Sequence, residues 1–175
     1  CSMNETDLTG AVLEGAVLSG ASMVEANLTK AQAERAALNG ANLERGNLVE
    51  ASFVLANMER ATLTGANLGW ANLSKVNLEK ANLSEANLSG ANLDDARLHG
   101  ANLAGAFLFG ARVTLKSLST AKSLANATMP DGTKYEEWIR RQSSDYVPPA
   151  ASAPAATAYG MSDSPLDYTP RPEEV

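Results

Sequence analysis

The chain has 175 residues and a formal net charge of −6, and although 45% of it is apolar, only nine side chains are aromatic. So few rings exclude a core built on aromatic packing, one cysteine excludes an intrachain disulfide framework, and no apolar run approaches the roughly 18 residues of a membrane span. Residues 1–120 carry 12 acidic and 9 basic side chains, which is not the basic footprint of a nucleic-acid binder.

From Cys1 to residue 115 the chain reads in fives. The third residue of each block is Leu, Met, Phe or Val in 22 of 23 blocks, with Ala33 the exception, and the first is Ala in 19 of 23. The second is often Asn, as at Asn42, Asn67 and Asn87. On an α-helix such a period advances about 140° per block and scatters the apolar residues around the axis; nor does it alternate as a half-buried strand does. A square coil accommodates it. Each block makes one side, its third residue points inward, its first fills the narrow space alongside, and four sides make a 20-residue turn. Coils stacked at about 4.8 Å would give a rod of roughly 28 Å. Asn suits the second position because it bonds nearby backbone. Gly at the fifth position, as at Gly10, Gly65 and Gly90, marks a corner.

Strings such as Ala81-Asn82-Leu83-Ser84-Glu85 and Ala86-Asn87-Leu88-Ser89-Gly90 resemble the pentapeptide-repeat family over about two-thirds of the chain. That resemblance implies an all-β solenoid, a right-handed quadrilateral β-helix. The segment Ala127-Thr128-Met129-Pro130-Asp131-Gly132-Thr133 also resembles the closing sequence of family members from photosynthetic bacteria.

Cys1 falls in the small slot and Met3 in the large one, so the coil already runs at residue 1. A chain opening on cysteine suits either a lipoprotein anchored through Cys1 or a chain lacking an upstream segment, and the running register favours the second. Outward Val12, Val17 and Val24 would then pack on that segment. The compartment expected is the cytoplasm, with the thylakoid lumen or a lipid-anchored envelope location as alternatives. The register breaks after Val113: Leu118 keeps the phase, Leu124 and Met129 do not. The organisation expected is therefore a β-helix over 1–129, a turn and capping helix over 130–142, and a disordered Pro- and Ala-rich tail over 143–175. Thr133 would N-cap the helix, and Trp138 and Ile139 would pack near Phe107, Phe109 and Leu115 to close the last coil; a dimerisation element is the alternative use of this helix.

No catalytic, cofactor or metal constellation is legible, and the chain is expected not to be an enzyme. His99 stands alone at an outward position, and adjacent Asp94 and Asp95 read as a solvated pair. The informative outward residues are Val49 and Trp70 on one side, one coil apart, with Val54 and the corner residue Leu55 on the next side. Clustered apolar residues at outward positions suggest an interface, and Trp is enriched among binding hot spots. The expected function is a scaffold that binds a protein partner without direct nucleic-acid contact. The alternative implied by the resemblance is an acidic DNA mimic that inhibits or protects a type II topoisomerase. Lys30, Arg35, Arg45, Arg60, Lys75, Lys80, Arg97 and Arg112 interrupt the negative field that mimicry needs.

Overall fold

The computed structural model describes residues 1–141. The expected tail, 143–175, and the last residue of the expected helix, Gln142, lie outside the described residues. Parallel bridges join each block to the block twenty residues on. Ser2 pairs with Ser22, Asp7 with Asn27, Val12 with Gln32 and Val17 with Ala37, and the four columns continue through Asn42, Asn47, Ser52 and Asn57. Numbered in that order, these are sides one to four of a coil. Pairing falls on the second residue of each block alone, because the fourth and fifth form the turn. The sides are therefore single-bridge rungs rather than extended strands.

In a block with Asn at its second position that lies between two coils, every backbone N–H has a destination, which is what a buried backbone requires. In the block from Ala26 to Lys30, the Leu28 N–H donates to Asn47 O of the next coil at 2.7 Å, and the Lys30 N–H to Val49 O at 2.9 Å. The Asn27 N–H donates to Thr6 O of the coil before, at 3.0 Å, and the Ala26 N–H closes the preceding turn onto Met23 O at 3.2 Å. The fourth N–H, on Thr29, is taken by the Asn27 side-chain oxygen at 3.1 Å. Asn side chains also bond one another vertically: Asn87 Nδ2 donates to Asn67 Oδ1 at 3.0 Å, and Asn102 Nδ2 to Asn82 Oδ1 at 3.1 Å. The recurrent Asn thus serves its own turn and the coil below.

The turn explains the fifth position. All of these residues from Glu5 to Gly110 have positive φ, near 54–60° at Glu, Lys, Arg, Asp, Leu and Trp and 63–70° at Gly. Turns of type II require positive φ at their third residue, so Gly is the residue of least strain and every other choice works against a left-handed backbone. Inside, the third-position Leu ladder and the first-position Ala ladder are fully buried from the second coil onward, including Ala33. Burying one Leu contributes about 1.5–3 kcal/mol. The inward residues of the first coil, Met3, Leu8, Leu13 and Leu18, are half-buried.

The phase break after Val113 has a local cause. The next first-position slot is occupied by Lys116, which cannot lie in a space sized for Ala. The chain instead forms a short helix, α1 (Leu115–Leu118), N-capped by Thr114, whose hydroxyl accepts from Ser117 N. This turns Lys116 outward and Leu118 inward. One extra residue is absorbed, so the next bridges join Asn102 to Ser123 and Phe107 to Thr128, and Leu124 and Met129 return to the core.

The chain then reverses at Pro130-Asp131-Gly132, pairs Lys134 with Thr128 in an antiparallel bridge, and enters α2 (Tyr135–Arg141). Two expectations change here. The Thr133 hydroxyl donates to Asp131 Oδ1 at 2.7 Å rather than capping the helix. Trp138 is 9% exposed and joins the core, whereas Ile139 is 45% exposed. Adjacent helical residues point about 100° apart, so one of the two faces outward; the partner of Trp138 is Tyr135, one turn before it, with ring centroids 6.4 Å apart.

Candidate interaction surface

Trp70 sits at a corner of side two with φ 59° and is 62% exposed. Its N–H donates to Ser89 O at 2.9 Å, so the backbone is held by the ladder while the indole projects. The ring lies over Gly90, one coil further on: a methyl group there would come 2.5 Å from indole Cε3. The indole is thus seated toward the C-terminal coils, away from Val49 and Leu55. Val49 is half-buried one coil below on the same side; around the next corner Val54 is half-buried and Leu55, at φ 60°, is exposed. Beyond Gly90 comes Phe109, whose carbonyl accepts the Gly90 N–H at 2.9 Å. Side two therefore carries Trp70, Gly90 and Phe109 in succession, with exposed Phe107 beside Phe109. The vertical relation of positions 70, 90 and 110 was legible in the repeat; the direction of the indole was not.

Phe107 and Phe109 also mark the junction with the closing segment. Lys134 Nζ lies 5.7 Å from the Phe107 ring centre, and a methyl group on Gly132 would come 3.4 Å from the Phe109 ring. Lys134 Nζ further donates to Asn126 O and to Thr128 Oγ1, each at 3.1 Å. Glu136 accepts the Asn126 N–H at 2.9 Å, and this hydrogen bond holds its carboxyl below the ordinary glutamate range. Asp7 is likewise lowered, first by the Thr9 hydroxyl and then by the Thr9 N–H. Asp94 and Asp95 are not a matched solvated pair: Asp94 meets Arg112 at 2.7 Å and is half-buried, while Asp95 is exposed at a corner.

Among the described residues no three His, Cys, Asp or Glu side chains gather as a metal site, and no helix is long and apolar enough to cross a membrane. A model described as pentapeptide repeats, eight copies, matches residues 1–40, 41–79 and 71–110. The chain belongs to the pentapeptide repeat family. The bridges at twenty-residue spacing are thus those of a pentapeptide-repeat β-helix solenoid. Among solved structures, it is similar to the pentapeptide repeat protein Rfr23 of the cyanobacterium Cyanothece 51142, at 37% identity over 52% of this chain and 58% of that one, with a TM-score of 0.35. It is also similar to a pentapeptide repeat protein of the Arabidopsis thaliana thylakoid lumen, at 25% identity over 60% and 66%, TM-score 0.33. The plasmid-mediated fluoroquinolone resistance protein QnrB1 matches at 19% identity over 81% and 86%, TM-score 0.27. This pentapeptide repeat chain spans less than two thirds of the first two of those chains. No curated protein sequence matches it.

Proposed function

We propose that this chain is a non-catalytic scaffold that binds a protein partner along side two of a right-handed quadrilateral rod, whose last coil is closed by α2. Trp70, at the corner between sides two and three, is the anchor, with Val49 one coil below on side two, Val54 and Leu55 around the corner on side three, and Phe109 beyond Gly90. The observation that carries this reading is the exposed indole at a corner position: among the fifth-position residues from Glu5 to Gly110, Trp70 is the one aromatic, the others being Gly, charged residues and Leu55. Trp is enriched among binding hot spots, and clustered exposed apolar residues mark interfaces. The repeat itself explains the conformation of the corner but not the choice of Trp at it, since Gly fills the corresponding corners at Gly10, Gly90 and Gly110 with less strain.

A topoisomerase-directed DNA mimic is the weaker reading. Residues 1–60 carry 8 acidic and 4 basic side chains, but residues 61–141 carry 7 and 9, so the negative field does not run the length of the rod. Ion pairs break it further, as between Lys30 and Glu50 at 3.6 Å and between Arg45 and Glu25 at 3.5 Å.

Truncating an anchoring Trp costs about 2 kcal/mol or more, roughly a thirtyfold loss of affinity. Trp70→Ala is expected to weaken the partner recovered from the native host by that factor while Ser84→Ala does not, with both variants melting close to the parent. Equal binding by the two variants would remove side two as the interface, and a large loss of stability in Trp70→Ala would make the indole a packing residue.

A further inference from the structure

The substitution of α1 for a regular corner leaves a gap in the β-ladder. From Met3 to Gly110, the N–H of every third- and fifth-position residue donates to the next coil, with two exceptions: Asp95 and Leu98. Between them, Ala96 is the one first-position carbonyl from Cys1 to Ala106 that accepts no N–H from the coil above. Among the described residues these three groups have no hydrogen-bond partner. All lie on one short stretch of edge, from the corner that ends side three into side four, where Arg97 pairs with Asn77 below and with nothing above. The same stretch lines a groove of about 580 Å³, bounded by His99 and by Thr114, Leu115 and Lys116 of the α1 region. That size is in the usual range of about 300–1,000 Å³ for a ligand pocket.

We infer that this groove is a second binding site, one that takes an extended peptide strand by β-addition. The chemistry follows from the ladder. At every intact rung one residue of the upper coil gives its N–H to a first-position carbonyl and its C=O to a third-position N–H, as Asn102 does with Ala81 and Leu83 at 2.9 and 2.8 Å. A peptide running parallel to Ala96–Leu98 would place one residue opposite Arg97, with its N–H on Ala96 O and its C=O on Leu98 N–H. The carbonyl three residues earlier in the peptide would then take Asp95 N–H, reproducing the remaining contact around the corner. Main-chain pairing of this kind supplies affinity, and side-chain pockets supply selectivity. Here selectivity is steric. Leu118 is already buried in the core at this level, so the peptide residue facing inward must be small. Proline opposite Arg97 is excluded, because it lacks the N–H that Ala96 O requires.

This site does not rest on the Trp70 surface, which lies on side two, so either can fail without the other. The probe is a synthetic peptide with the sequence of residues 74–80 carrying Val76→Ala and Leu78→Ala, the repeat's own side-four rung with small inward residues. Its control carries Asn77→Pro in addition. In the isolated full chain, the Asp95 and Leu98 amides should exchange with solvent at least about 100-fold faster than those of Lys75 and Leu78, their bonded counterparts one coil below. Adding the probe should slow both amides and shift resonances of residues 95–99 and 114–120, with a Kd of about 1 mM or tighter, and the proline control should do neither. Amides of Asp95 and Leu98 already as protected as their counterparts would show that the edge is closed in solution, and equal effects of probe and control would show that main-chain pairing is not involved. Either outcome, or absence of binding by the probe, overturns the inference.

Discussion

Trp70 and Gly90 form a pair that can be tested at the scale of single atoms. A methyl group at Gly90 would meet three indole carbons at 2.5–2.7 Å, whereas one at Gly40 would meet nothing within 4 Å; both residues have φ near 66°. The cost of forcing a side chain into the left-handed region, about 1–2 kcal/mol, is therefore common to Gly90→Ala and Gly40→Ala. The indole contact is not. Gly90→Ala is expected to be the more destabilised of the two in thermal melts, and to shift tryptophan emission because the ring must leave its seat. Equal melting temperatures and unchanged emission would mean that the indole does not rest on Gly90 in solution.

At the scale of the element, the rungs and α2 behave differently. Leu78 is fully buried in the ladder of third-position residues, and no cation faces it there. Leu78→Asp would bury an unpaired carboxylate, which costs several kcal/mol, and such a variant is expected to be unfolded or insoluble; cooperative melting near the parental temperature would contradict the inward ladder. Helix α2 is instead tied by Glu136 to the Asn126 N–H. Its carboxyl lies below the ordinary value of 4.5 in the folded chain, so the charged form is favoured by folding. The contribution is complete above pH 4.5 and is lost as pH falls through the lower folded value. Acidification is expected to loosen α2 and expose Trp138 to solvent. Glu136→Gln, which can accept the bond but not titrate, should flatten that part of the profile. Identical emission-versus-pH curves for parent and variant would show that another group controls the helix.

For the whole molecule, stability is nearly a sum over neighbouring coils, and the surface field is a matter of charge placement on the outside of those coils. The outward charges are mostly acidic over residues 1–60, where several are paired with Lys or Arg, and the part from residue 61 to 141 is slightly basic. Duplex mimicry depends on sustained negative potential. The chain is accordingly expected to leave gyrase supercoiling unchanged at concentrations where an acidic rod would inhibit it. Inhibition that disappears at raised ionic strength would restore the mimicry reading.

The five-residue period by itself determined the coil, the inward Leu and Ala ladders, the glycine corners and the role of Asn, because each has a fixed place in the five-residue block and is fixed by local backbone geometry. It also placed Trp70 at a corner, with Gly90 above it. Tertiary structure decided what happens where the repeat fails. Lys116 in a slot sized for Ala was visible as a letter, but whether the chain would bury, tolerate or bypass it depended on the coil beneath, and the outcome was α1, an added residue and an unpaired edge. Tertiary structure likewise decided which of Trp138 and Ile139 faces the core, since adjacent helical residues are equivalent in sequence until the helix has docked. The direction of the Trp70 indole, toward Gly90 rather than Val49, was settled in the same way, by which neighbour left room for it.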